Sequence, residues 1–171
     1  MVIMDGEGLY YSGRVLWVVK SGNRLYGKVL DDYPYYVEVN GDSSFCTCPL
    51  GGNCEHVRAV KIAYERGFYF DCPDEEPFGE GCAYSMLNSV PELRWRVLLR
   101  ELEHALETDE SGSDAAKLFY EAFNILGKDP DARKLTLIGV LLNEYSALFP
   151  DYALTERLKS EFQRLRIRSV G

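Results

Sequence analysis

The sequence predicts an α+β protein with a small antiparallel β-sheet, followed by a C-terminal α-helical bundle. Residues 14–48 contain short runs rich in Val, Leu, Trp and Tyr, separated by short Gly, Asn and Asp turns, which is typical of strands. From Ser89 onward, apolar residues recur with the period of a helix. Between these regions, three of the five cysteines and one of the two histidines lie in one short stretch, which predicts a metal site.

The charge distribution predicts where the chain divides. The protein has 171 residues and a formal net charge of −8, but residues 68–92 contain no Lys or Arg and six acidic residues. This length fits one domain or two small ones. We therefore predict a metal-binding domain with lead-in strands at 1–67, an acidic Pro/Gly connector at 68–90, and a helical domain of about four helices at 91–171.

Four strands are predicted in the first domain, at Arg14–Lys20, Arg24–Leu30, Tyr35–Asn40 and Ser43–Cys48. Alternation places Val15, Trp17 and Val19 on one face of the first strand. The opposite faces of the first two strands carry five candidate nucleic-acid contacts, in which basic residues flank an aromatic ring: Arg14, Lys20, Arg24, Tyr26 and Lys28. The alternative is an ordinary solvated strand face.

The metal-ligand candidates are Cys46, Cys48, Cys54 and His56, spaced Cys-x-Cys-x5-Cys-x-His. Residues i and i+2 of a strand point to the same side, so Cys46 and Cys48 can converge on one ion. Two helical residues differ by about 200°, so Cys54 must precede the helix that begins near His56. Four protein ligands predict one structural Zn²⁺ without an open catalytic position. Packed thiols or a disulfide pair are the alternatives.

This segment resembles the SWIM zinc finger, whose ligands follow the pattern Cys-x-Cys-x(n)-Cys-x-His. The resemblance covers Gly8 to Gly67, with Tyr10–Val15, Gly27–Val29 and Tyr35–Val39 similar to lead-in strands. It implies a zinc-held ββα unit without catalysis that binds DNA or protein. SWIM proteins occur beside recombinase-like partners in DNA repair, in chromatin remodellers and in transposase-related proteins. Glu55 stands where many members have Lys, which disfavours a phosphate contact there.

Two further cysteines, Cys72 and Cys82, lie in the acidic connector without a nearby histidine. We predict that they are not ligands, although a second ligand pair is the alternative. The aromatic residues of this connector are expected to pack onto a neighbouring surface, or else to form an acidic arm for a partner.

Four helices are predicted in the second half. The first follows a capping box at Ser89, and the second is capped by Ser113, spans about 114–126 and stops at Gly127. The third starts at Asp129–Pro130, and because it is apolar nearly all round it should be central in the bundle or have a buried partner. The fourth ends near Arg168 with a basic face, which is either solvated or a contact for phosphate or an acidic partner.

These features predict a non-enzymatic, zinc-binding adaptor that binds a protein partner in DNA repair, recombination or related DNA processing, with weak DNA contact. The alternative is a protein that binds nucleic acid directly through the hairpin face. The sequence has no Ser/His/Asp set and no phosphate-cradling Gly loop, which disfavours an enzyme. The N-terminal residues lack a signal-peptide pattern and no apolar run is long enough to span a bilayer, so we expect a cytoplasmic protein without a membrane partner.

Overall fold

The computed structural model describes residues 4–72 and 91–170. The chain forms two compact units, Met1–Val97 and Leu98–Gly171. The elements of the first unit are α1 (Gly6–Tyr11), β1 (Val15–Ser21), β2 (Arg24–Leu30), β3 (Pro34–Asn40), β4 (Ser43–Cys46), α2 (Glu55–Glu65) and β5 (Phe70–Asp71). Helix α3 (Pro91–Thr108) starts in the first unit and ends in the second, which also holds α4 (Ser113–Lys128), α5 (Ala132–Leu148) and α6 (Ala153–Val170).

The domain bounds predicted from the sequence stay predictions. Residues 73–90 of the predicted connector, with Cys82 and the capping residue Ser89, lie outside the described residues. Among the helices that the structure describes, none is long and apolar enough to cross a membrane.

The first unit is built on a five-stranded sheet in the order β4-β3-β2-β1-β5. All neighbouring strands are antiparallel except β1 and β5, which pair in parallel over two residues. The predicted class is therefore confirmed: a small, mostly antiparallel sheet precedes a set of helices. The sequence missed β5 because a two-residue strand is too short to show alternation.

Both faces of the sheet are covered by buried residues of the first unit. Helix α2 packs on one face, where Gly27 lets it approach closely: a Cβ on Gly27 would lie 2.6 Å from Val60 Cγ2. The residues buried on this side form the helix-side core: Leu9, Val15, Val18, Val29, Val37, Val39, Cys46, Cys48, Cys54, Val57, Ala59, Val60 and Ala63. The residues buried on the opposite face of the sheet form the far-side core: Leu16, Trp17, Val19, Tyr26, Cys72, Leu93 and Val97.

Strand β1 contributes to both cores through an irregularity. The register shifts between Val15 and Trp17, which pair with Val29 and Lys28 respectively. Val15 consequently lies in the helix-side core, whereas Trp17 and Val19 lie in the far-side core. The prediction that all three share one face was wrong, because an extra residue in a strand reverses the alternation that follows it.

Helix α1 corrects a second prediction, since Tyr10 and Tyr11 were assigned to a lead-in strand but are helical. Asp5 caps this helix by accepting a hydrogen bond from the Gly8 N–H at 2.8 Å. Leu9 then enters the helix-side core with no exposed surface. The two glycines of this short segment obscure it in the sequence, because glycine is a poor helix former.

The caps of α4 and α5 differ from the predicted ones. Asp109, rather than Ser113, accepts hydrogen bonds from the N–H groups of Asp114 and Ala115 at 3.1 and 3.2 Å. Asp131, rather than Asp129, caps α5 by accepting hydrogen bonds from the N–H groups of the second and third helical residues, Arg133 and Lys134. In each case the carboxylate that reaches the free N–H groups sets the start of the helix.

The second unit has its own apolar core. Its most deeply buried side chains come from all four helices: Leu102, Phe119, Leu126, Ile138, Tyr145 and Leu158. Tyr145 also donates a buried hydrogen bond to the Gly112 carbonyl at 2.8 Å. Helix α5 is not enclosed on all sides as one reading of its sequence predicted, because Val140 and Leu148 are 52% and 53% exposed.

Candidate metal centre

A tight reversal after β4 brings the first two cysteines together. Cys46 is the last residue of β4, and its N–H donates to the Gly51 carbonyl at 2.9 Å. The Gly51 N–H donates in turn to the Cys48 carbonyl at 3.0 Å. The strand therefore ends at Cys46 instead of the predicted Cys48, and the chain folds back so that Cys48 remains beside Cys46.

The second pair of ligand candidates lies at the start of α2. Cys54 is the N-cap in an extended conformation and His56 is in the first helical turn, as the spacing predicted. Asn53 adopts a left-handed backbone (φ 49°) and donates its N–H to Ser44 Oγ at 2.8 Å, which anchors this turn to β4. A Cβ on Gly52 would lie 2.5 Å from the Ser44 carbonyl oxygen, so this close approach requires glycine.

The four side chains converge on one point. The Sγ atoms of Cys46, Cys48 and Cys54 and a ring nitrogen of His56 all lie within 4.8 Å of one another. His56 Nδ1 is 3.7 Å from Cys46 Sγ and 3.6 Å from Cys54 Sγ. Tetrahedral zinc with Zn–S of about 2.3 Å and Zn–N of about 2.0–2.1 Å separates such atoms by about 3.6 Å. The four side chains are therefore positioned to hold a tetrahedral metal ion.

The local electrostatics differ between the cysteines. Burial opposes ionisation of Cys48, but hydrogen bonds with His56, Cys46, the Leu50 backbone and Cys54 outweigh it and lower the pKa of this thiol to about 7. Burial instead raises the pKa of the Cys46 thiol. A divalent cation compensates the buried thiolate charge that these thiols would carry as ligands.

The neighbouring side chains of Asp31 and Tyr35 orient His56. Its Nε2 atom lies 2.9 Å from Asp31 Oδ2, so Nδ1 is left to face the cysteines. The Tyr35 ring lies against the imidazole with a centroid distance of 4.5 Å, and its hydroxyl donates to Asp32 Oδ1 at 2.7 Å. A carboxylate on the distal nitrogen of a metal-bound histidine sets its tautomer and raises its basicity.

Sequence reasoning missed Asp31 as part of this site and assigned it only to a turn. The distance along the chain explains this, because Asp31 precedes His56 by 25 residues. The available signal was chemical, since a ligating histidine commonly has a carboxylate partner and this turn holds two adjacent aspartates.

Comparison with known proteins agrees with this geometry. The SWIM zinc finger model matches residues 35–65, which include all four converging side chains. Residues 35–65 form a SWIM zinc finger. Such a finger with a Cys3His cluster carries one structural zinc ion. The SWIM finger is a binding module.

One curated relative carries no functional description. The chain is 35% identical over 82 residues to an uncharacterized protein of Methanocaldococcus jannaschii. The matched part is 46% of this chain and 35% of the relative, so the chain spans about a third of that protein's length. No solved structure matches the chain.

Glu55, which departs from the Lys of many SWIM fingers, has a structural partner. Its Oε2 atom accepts a hydrogen bond from the Gly6 N–H at 2.6 Å. This bond ties the start of α1 to the start of α2. A Cβ on Gly6 would lie 2.8 Å from Arg58 Cβ, so the two helices cross closely at this point.

The predicted nucleic-acid contacts are not all on an open surface. Tyr26 is only 1% exposed and packs in the far-side core, so its ring is not available to stack on a base. Alternation along β2 predicts an outward Tyr26, but Leu93 and Val97, which are distant in the sequence, belong to the same buried cluster. Arg14, Lys20, Arg24 and Lys28 are partly exposed. Lys20 and Lys28 lie over the rings of Tyr64 and Tyr36 at 5.5 and 5.4 Å.

Of the two connector cysteines, the structure describes Cys72. It is 7% exposed and lies in the far-side core, and it does not belong to the converging Cys3His group. Cys82 lies outside the described residues.

We expect one zinc per chain, because the four converging atoms complete a tetrahedral site. Cys48→Ser or His56→Ala should remove the metal and unfold the first unit, since structural zinc in finger peptides contributes about 10–16 kcal/mol. Elemental analysis and circular dichroism measure the two effects. As a control, the double change Cys72→Ser and Cys82→Ser should keep the full zinc content. A wild-type protein that is metal-free and fully folded would contradict the assignment.

Asp31→Asn should weaken zinc affinity by about 10–100-fold, because the amide supports the His56 tautomer less well than a carboxylate. Competition with a chromogenic chelator measures the affinity. Asp42→Asn is the matched control: it removes the same charge from an exposed turn of the sheet and should leave affinity unchanged. Equal affinities for both variants would show that the Asp31–His56 contact does not support the metal.

Proposed function

We propose that the protein is a non-enzymatic adaptor whose SWIM finger binds another protein in DNA repair, recombination or related DNA processing. The closed Cys3His group carries this proposal. Four protein ligands fill the coordination sphere of a tetrahedral zinc, so the metal has no position for a catalytic water or a substrate. Its role is to hold β4 and α2 in one arrangement, and the surface of that arrangement acts on the partner.

The charge balance favours a protein as the main partner. The chain has a formal net charge of −8, which opposes broad contact with the phosphate backbone of nucleic acid. The setting in DNA processing follows from the SWIM resemblance, which includes proteins that act beside recombinase-like partners. DNA contact, where it occurs, is secondary.

The zinc-binding segment also presents apolar side chains to solvent. Phe45 on β4 is 56% exposed, and Leu50 in the reversal between the cysteines is 76% exposed. Strand β4 lies at the edge of the described sheet, and its outer side is lined by the reversal, since the Cys46 N–H donates to the Gly51 carbonyl. Exposed apolar side chains such as these suit recognition of a protein better than recognition of a phosphate backbone.

Affinity purification of the tagged protein from its native host, followed by mass spectrometry, tests the adaptor proposal. We expect the same protein partner in nuclease-treated and untreated samples, and a loss of several fold with the double change Phe45→Asp and Leu50→Asp. The control Leu148→Asp with Ile167→Asp alters two residues of similar exposure, 53% and 71%, and should retain the partner. If nuclease treatment abolishes recovery of the partner, nucleic acid rather than direct protein contact links the partner to the tagged protein.

DNA binding should be weak and salt-sensitive, with dissociation constants in the nonspecific range of about 10⁻⁴–10⁻⁶ M near physiological salt. The four partly exposed basic residues of β1, β2 and the residue before β1 permit few phosphate contacts. Arg24→Glu with Lys28→Glu should abolish binding and keep the zinc content, whereas Arg133→Glu with Lys134→Glu should have little effect. Fluorescence anisotropy with single- and double-stranded oligonucleotides at two salt concentrations measures this. Nanomolar binding at high salt would make nucleic acid the primary ligand.

A further inference from the structure

A groove of about 630 Å³ lies within the second unit, between α5 and α6. Its lining includes the apolar residues Leu135, Gly139, Val140 and Phe162. Leu135 and Phe162 are buried among their neighbours, whereas Val140 is 52% exposed. The volume is in the range of about 300–1,000 Å³ that is typical of ligand-binding clefts.

Gly139 shapes this groove. A Cβ at this position would lie 2.9 Å from Phe162 Cζ, so the absence of a side chain lets the Phe162 ring approach the backbone of α5. The ring thereby becomes part of the groove wall. Helix α5 is apolar nearly all round, and the other helices do not bury its Val140 side chain, which lines the groove.

The polar side of the groove is basic. Lys159 and Arg166 line it from α6. Lys159 forms an ion pair with Glu156 at 3.4 Å, but both side chains are exposed and such pairs contribute little, so Lys159 can exchange this partner. The Arg166 guanidinium lies 5.9 Å from the Phe162 ring centroid, directly beside the apolar wall.

The one acidic residue in the lining, Asp131, offsets one of these two charges, which leaves the lining with a net positive charge. The Asp131 carboxylate accepts hydrogen bonds from the N–H groups of Arg133 and Lys134 as the cap of α5. Helix α6 as a whole carries five basic and two acidic residues, a net charge of +3, within a chain of formal charge −8. The basic groove is thus a local exception on an acidic protein.

We propose that this groove binds an acidic segment of a partner protein, in which one or two large apolar side chains enter the apolar floor and flanking carboxylates face Lys159 and Arg166. The proposal rests on the proposed function as an adaptor, and it adds a second surface that is independent of the zinc finger. Charge complementarity selects an acidic partner, and the apolar floor selects a peptide over nucleic acid, whose backbone offers no comparable apolar group.

Selection of a random 16-residue peptide library displayed on phage, with the full zinc-loaded chain as bait, tests the proposal. We expect enriched peptides with net negative charge and a Leu, Ile, Phe, Trp or Met anchor. Fluorescence anisotropy with the most enriched peptide then measures affinity for the variants. Val140→Glu should weaken binding at least tenfold, because it places a charge in the apolar floor. Leu148→Glu, on the same helix and equally exposed at 53%, should change it less than twofold.

Two charge-reversal variants distinguish binding in the groove from a general effect of net charge. Lys159→Glu with Arg166→Glu should weaken binding at least tenfold. Arg157→Glu with Arg164→Glu makes the same change in net charge on the same helix outside the groove lining, and should cost less than threefold. The proposal would be overturned if both pairs lost the same affinity for the peptide. It would also be overturned if the enriched peptides were basic or uncharged, or if Val140→Glu left peptide binding unchanged.

Two further measurements test whether something other than an acidic peptide occupies the groove. Tighter binding of an oligonucleotide than of the peptide, with loss on Val140→Glu, would assign the groove to nucleic acid and overturn the proposal. Concentration-dependent dimerisation that Val140→Glu abolishes would assign it to a second copy and also overturn it. The finger variant Phe45→Asp with Leu50→Asp should bind the peptide normally, so failure of the finger as a docking surface and failure of the groove are distinguishable.

Discussion

Coordination of one zinc ion by Cys46, Cys48, Cys54 and His56 is the interaction on which the first unit depends. The ion joins the edge strand β4 to the start of α2, the helix that covers one face of the sheet. Zinc sites of this kind contribute about 10–16 kcal/mol, whereas a core of this size contributes a few kcal/mol in net terms. The attachment of α2 to the β4 end of the sheet therefore depends on the metal.

Other contacts in the first unit reinforce the same junction. Asp31, in the turn between β2 and β3, holds the distal nitrogen of His56. Glu55, between the last two ligands, holds the first N–H of α1. The site consequently links β4, the β2–β3 turn, α1 and α2, which explains why residues far apart in the sequence act as one folding unit.

The distribution of buried residues also decides which surfaces remain for partners. In the first unit, the zinc-binding segment exposes the apolar side chains of Phe45 and Leu50, although both faces of the sheet carry buried clusters. In the second unit, α5 and α6 leave an apolar groove with a basic side. These two surfaces have different chemistry, since one is apolar and the other is apolar and cationic.

The sequence by itself determined the metal site, the main strands and the long helices. Ligand chemistry and the two-residue spacing of a strand are local, so Cys46 and Cys48 identify the site without knowledge of the fold. Only the tertiary structure decided that Tyr26 is buried, that Asp31 supports His56, and that the register shift near Trp17 divides β1 between two cores. Each of these depends on contacts between residues distant in the chain. Alternation assigns the side of a strand, whereas the packing of α2 and the start of α3 decides which sides are solvent-exposed.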